Sequence, residues 1–227
     1  GIKGNFAFGK KFWADEYRLN LKIANFKKPY IAFMQGFTMG GGVGISCHGS
    51  HRIVGETSTI AMPECGIGLV PDVGGSFLLG RLENHLGVYL GLTGTRMNAA
   101  DAIYCKFADV YIPTVYWNKI INLLAEGEDI NSSLNRFRQL PPKSTLSEII
   151  DSIYEAMDQS DYKNLGGVLS KRKELEQGFV NFQRSSPLSI AFTFNMLKLP
   201  NVASSLSSAL EIEYRYTYRS QEHTDFL

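Results

Sequence analysis

The chain is 227 residues long, 44% hydrophobic and carries a formal net charge of +1, enough to bury a substantial core in one large or two small domains. That charge balance gives no electrostatic reason to expect nucleic acid or an anionic membrane as a partner. Cys47, Cys65 and Cys105 show neither metal-ligand spacing nor a disulfide framework, so reduced thiols in a cytosol-like compartment are the default.

No basic, apolar signal peptide opens the sequence. Gly1 to Gly9 reads as a loop and Lys10 to Phe26 as a helix. Tyr30 to Met34 is a short β-prone run, followed by Gly36 and then Gly40-Gly41-Gly42, after which Val43, Ile45 and Cys47 fall into a helical pattern. The nearly apolar stretch from Ile31 to Cys47 is interrupted by Gln35, Thr38 and five glycines, so it reads as strand, turn and helix rather than as a membrane span.

Arg52 to Val54 and Thr59 to Ala61 read as short strands around a turn. Gly75 to Leu82 and His85 to Leu92 read as helices, Asn98 can cap a third through Tyr104, and Asp109 to Ile112 is a last strand. Beyond Pro113 the periodicity is helical: Val115 to Leu124, Leu146 to Met157, Leu165 to Phe182, Pro187 to Leu197 and Val202 to Ser220, with Ser186-Pro187 as an N-cap and first-turn pair. The expected fold class is α/β, with strand-strand-helix units over residues 1–112 and an all-helical region over 113–227.

The chemistry concentrates between Lys28 and Gly75. A triple glycine between a strand and a helix lets backbone N–H groups approach a ligand closely, with the partial positive charge of a helix start behind them. Taken alone it is a flexible turn, because the phosphate-binding spacings GxGxxG and GxxxxGK[ST] are absent. Glu64 and Asp72 follow, eight residues apart. Fully extended, that segment would span roughly 26 Å, but Gly66, Gly68 and Pro71 let it double back. Two loop carboxylates are otherwise ordinary solvated surface.

His48, His51, His85 and His223 lack the spacing of a helix-borne zinc site, and no metal is expected. Ser46 lacks the second glycine of a nucleophile elbow. Lys171, Arg172 and Lys173 could meet a phosphate, but a solvated helix face accounts for them better.

The segments KPYIAFMQGFTMGGGVG, AMPECGIGLVPDVGG and LGLTGTRMNAADAIYCKFAD resemble the crotonase (enoyl-CoA hydratase/isomerase) superfamily, and within it the 3-hydroxyisobutyryl-CoA hydrolase branch. SSPLSIAFTFNML and ALEIEYRYTYRS extend the likeness into the C-terminal half. The resemblance implies a crotonase-like spiral of strand-strand-helix units followed by a helical C-terminal region. It also implies that the chain begins late, without the strand and turn that supply one of two oxyanion-hole donors.

By the same resemblance, the N–H of Gly41 supplies the other donor and Glu64 and Asp72 are the catalytic acids. Glu16, in FWADEYRLN, contacts the substrate together with Met39, Gly40 and Gly41. Hydratases of the superfamily carry a first catalytic acid at the position of Gly44, which cannot act as one here. Acyl-CoA thioester hydrolysis in valine catabolism is therefore the expected activity, with Glu64 as general base or transient nucleophile and Asp72 orienting it or relaying a proton.

The alternatives are an enoyl-CoA or dienoyl-CoA isomerase or hydratase, and a non-catalytic CoA-binding subunit. An acyl-CoA is the expected partner, with coenzyme A as part of the substrate and no separate cofactor. The resemblance further implies a possible trimer or hexamer, and a cytoplasmic protein, or one of the mitochondrial matrix if the source is eukaryotic.

Overall fold

A computed structural model describes residues 6–226. Helix α1 (Ala7–Ala24) begins three residues inside the loop expected over Gly1 to Gly9, whose first five residues lie outside the described ones. Strands β1 (Ile31–Met34) and β2 (Phe37–Met39) follow, then helix α2 (Gly41–Ser46), strands β3 (His51–Val54) and β4 (Thr59–Ala61), and a 3-10 turn at Glu64–Ile67. β1 pairs in parallel with β3, Ile31 opposite His51 and Met34 opposite Val54. β2 pairs in parallel with β4, Phe37 opposite Thr59. Each strand-strand-helix unit therefore stacks on the next, with its two strands in two different sheets, and β5 (Val110–Tyr111) extends the first sheet as β1-β3-β5.

Between β4 and β5 lie α3 (Gly75–Gly80), α4 (Leu86–Thr93) and α5 (Ala99–Tyr104). All eight residues of α4 are buried, because it is packed by α3, α9, α11 and α12. The rest of the chain is helical: α6 (Trp117–Ala125), α7 (Ile130–Asn135), α8 (Thr145–Glu148), α9 (Ile150–Met157), α10 (Leu165–Leu169), α11 (Glu176–Arg184), α12 (Pro187–Met196), α13 (Pro200–Ser204) and α14 (Leu206–Ser220). One apolar cluster joins Tyr17, Met34, Val43, Ile60, Leu79 and Tyr89 to Ile153, Leu165, Phe194 and Leu210. The α/β part and the helical part share that core.

Several elements differ from their sequence signals. Phe37–Met39, expected within a turn, is a strand, because the backbone of β4 lies alongside it. The helix expected over Leu165–Phe182 is two helices separated at Arg172, which is extended (φ −116°, ψ 106°); its guanidinium reaches back to Glu155 on α9 at 2.9 Å. Leu146–Met157 is divided at Ile149. The expected helix over Val202–Ser220 is broken by Ser205, whose extended backbone and side-chain bond to the N–H of Ser208 start a new helix. α7 is an addition, begun by Asp129 accepting from the N–H of Ser132.

Cys47, Cys65 and Cys105 are free and buried. Burial pushes the thiols of Cys47 and Cys65 up to about 12 and raises that of Cys105 as well.

Asp101 ties the two parts of the chain together. In α5 it completes a capping box with Asn98. It also accepts from Ser144 Oγ at 2.6 Å, Thr145 Oγ1 at 2.8 Å and the N–H of Leu146 at 3.0 Å. Asp101→Ala leaves those donors without their acceptor and is expected to cost about 3 kcal/mol of stability, read from the midpoint of chemical denaturation. A midpoint within error of wild type would contradict this account of how α8 is anchored.

Candidate active site

The triple glycine sits where β2 becomes α2. Gly40 precedes the helix with φ 52° and ψ −122°, a backbone state that a residue with a Cβ adopts only with strain. The turn brings the glycine backbone against two acids. A Cβ on Gly40 would stand 3.1 Å from Glu64 Oε1, and one on Gly41 would stand 2.9 Å from Glu16 Oε1. The N–H of Gly41 begins the helix and finds no acceptor among the described residues.

Glu64 opens the 3-10 turn after Pro63 and is 4% exposed; Asp72 is 5% exposed. The two are therefore not solvated loop carboxylates. Gly68, at φ 76°, reverses the chain between them. Burial lifts the proton affinity of Glu64 well above the usual carboxyl range, and the charge of Asp72 adds to it. Burial pushes Asp72 up to about 7; a hydrogen bond from Tyr17 opposes the shift and the charge of Glu16 reinforces it. Glu16 is also raised, by burial. The acids sense one another, so they release protons as a set rather than singly.

The structure thus brings together Glu16, Gly40, Gly41, Glu64 and Asp72. Met39, at the end of β2, faces the neighbouring space: with Ala61, Pro63 and Gly66 it lines one wall of a cavity of about 690 Å³, whose other side includes Arg96 and Arg184. That volume falls in the range of small-molecule sites. Glu16, Glu64 and Asp72 are not among the residues that line it. Among the described residues, no three His, Cys, Asp or Glu side chains are grouped as metal ligands would be.

Three participants carry no sequence signal that singles them out. The hydroxyl of Tyr17, beside Glu16 on α1, donates to Asp72 Oδ2 at 2.7 Å. Glu213, on α14, is wholly buried and accepts from the N–H groups of Gly74 and Ser76. Asn20 is fully buried one turn beyond Glu16, and both of its side-chain polar atoms lack a partner, as does Glu64 Oε2. A Cβ on Gly44 would come within 2.6 Å of Asn20 Nδ2 and 2.7 Å of Val73 Cβ, so position 44 is shaped for glycine. A Tyr and an Asn within a helical pattern read as packing, and Glu213 reads as one more polar position of an amphipathic helix.

Strand pairs stacked into a spiral, a glycine N–H at a helix start and two buried acids beside it describe a crotonase fold. The enoyl-CoA hydratase/isomerase family profile matches residues 2–227, and the chain belongs to that family. The mitochondrial 3-hydroxyisobutyryl-CoA hydrolase of Xenopus tropicalis is 32% identical over 240 residues, covering 99% of this chain and 61% of its own length. The rat protein of the same name is 34% identical over 239 residues, with the same coverages of 99% and 61%. Among solved structures, an enoyl-CoA hydratase from Rhodobacter sphaeroides superposes with a TM-score of 0.92 at 43% identity, covering 100% of this chain and 66% of that one. A carnitinyl-CoA dehydratase from Mycobacterium thermoresistibile gives 0.93 at 35% identity, covering 99% and 66%. The chain spans about 61% of the length of the named hydrolases.

The buried acids make stability depend on pH with a definite sign. Asp72 and Glu213, raised to about 7 and about 8 by burial, bind protons more tightly folded than unfolded. Their contribution is full below the ordinary carboxyl range and is lost as pH rises through 7 to 8. The thermal midpoint is therefore expected to fall between about pH 5 and about pH 8 and to level off above, and Asp72→Asn should flatten that fall. An unchanged slope in the variant would remove Asp72 from this account.

Proposed function

We propose that the protein hydrolyses an acyl-CoA thioester, with 3-hydroxyisobutyryl-CoA as the substrate. The observation that carries this reading is Glu64: a buried carboxyl with one oxygen unpartnered, beside Gly40 and the free N–H of Gly41. The names of the relatives support the substrate, and the shape of position 44 supports the reaction. Hydration by two acids in this family places the first of them at that position, and Asn20 and Val73 leave no room for it here.

In the proposed chemistry the thioester carbonyl oxygen faces the N–H of Gly41, which stabilises the negative charge that develops on it. One such donor is worth about 2.7 to 4 kcal/mol in comparable sites. Glu64, when ionised, takes a proton from water as the water oxygen bonds to the carbonyl carbon. The C–S bond then breaks, and the departing thiolate receives that proton. Asp72, held by Tyr17, keeps Glu64 oriented and exchanges the proton with it. Glu16 and Met39 contact the substrate, whose CoA portion brings the only cofactor chemistry needed. The relatives named mitochondrial support a matrix location, and no helix among the described residues is long and apolar enough to cross a membrane.

Glu64→Gln in the natural protein is expected to cut release of free CoA from 3-hydroxyisobutyryl-CoA by about 10²- to 10⁴-fold, with the thermal midpoint retained. Near-wild-type release would end the assignment. Double-bond migration without free thiol would favour an isomerase, and tight acyl-CoA binding without turnover a non-catalytic subunit. Because the base must be ionised and burial raises the carboxyls of the pair, kcat/KM for the wild type is expected to rise with pH above the ordinary carboxyl range. A flat profile from acid to alkaline pH would exclude the buried pair as the proton acceptor.

A further inference from the structure

The segment that follows Asp72 is built under constraint. Val73 has φ 52° and Gly74 has φ 80°. A β-branched residue in the left-handed region is strained and persists only where its surroundings hold it there. Two elements do so. His48, on the α2 side, is kept neutral by burial, which lowers its pKa, and its Nε2–H donates to the carbonyl of Val73 at 2.8 Å. From the other side, Glu213 on α14 accepts from the N–H of Gly74 at 2.9 Å, the N–H of Ser76 at 3.1 Å and Ser76 Oγ at 2.5 Å.

The same helix reaches Asp72 by a second route. Thr217, one turn beyond Glu213, lies 3.3 Å from the hydroxyl of Tyr17, which bonds Asp72 Oδ2. A wholly buried carboxyl group must recover from the protein the hydrogen bonds it gives up in water. Here the donors are the N–H groups of Gly74 and Ser76 and the hydroxyl of Ser76, all in the turn that follows Asp72.

We propose that Glu213 is a positioning residue: by clamping the N–H groups of Gly74 and Ser76 it holds the strained turn at Val73 and so fixes the place of the Asp72 carboxyl against the hydroxyl of Tyr17. Glu213 bonds the backbone of that turn and acts through it, without touching substrate. The proposal rests on the hydrolase reading for its consequence in catalysis, but not for the clamp itself.

The test is Glu213→Gln in the natural protein. The amide nitrogen of Gln faces one of the two backbone donors, so one arm of the clamp is lost while the volume is kept. Hydrogen exchange at the Gly74 and Ser76 amides should quicken at least about tenfold. kcat for free-CoA release should fall about a hundredfold, as expected for a displaced catalytic group, while KM for the acyl-CoA stays within about threefold. A merely structural role would leave kcat per folded molecule unchanged. If Glu213→Gln does not fold, Glu213→Asp carries the same readouts, since the shortened side chain keeps its carboxyl group but withdraws from the turn.

Wild-type kcat with unchanged amide exchange in the folded variant overturns the proposal. Equal losses in binding and turnover also overturn it, since they point to general damage. If the wild type itself releases no CoA, the hydrolase reading fails, and the amide exchange alone decides whether the clamp exists.

Discussion

The hydrogen bond from Tyr17 to Asp72 joins the first helix to the loop that follows Glu64, and the site depends on it. Burying a carboxyl is unfavourable unless donors replace the water it loses. Asp72 receives that donor from α1, and the turn behind it is held from α14. The ends of the chain therefore close over a centre made by its middle. An apolar cluster that holds both Tyr17 and Leu210 is the packing counterpart of that arrangement.

Within a family that catalyses several reactions on CoA thioesters, fold alone does not choose the chemistry. What distinguishes this chain is local. Gly40 lets the backbone turn so that Glu64 and the first N–H of α2 lie side by side, and Gly44 leaves space that Asn20 and Val73 occupy. The site thus has acids on one side of the glycine helix and an uncharged amide where a side chain from position 44 would otherwise project.

Much of this was legible in the sequence, for identifiable reasons. Strand β1 and the glycines announce themselves through composition, and Asn98 and Ser186 cap helices through bonds made within four residues. Glu64 and Asp72 are singled out by the resemblance of AMPECGIGLVPDVGG to the family; the glycines and the proline between them show only that the segment can double back. The rest depends on distant contacts. β2 is a strand because β4 lies beside it, and Arg172 breaks a helix because Glu155 is within reach. Tyr17 and Glu213 matter through partners 55 and 139 positions away. No local pattern encodes such a meeting, and a helical glutamate looks the same whether it faces water or a backbone turn.

The three cysteines have a practical corollary. Their thiols lie within the packed interior, with ionisation suppressed, and an un-ionised, enclosed sulfur is a poor nucleophile. A colorimetric disulfide reagent added to the folded chain will therefore register little from these three sulfurs, leaving a quiet baseline against which any small-molecule thiol stands out.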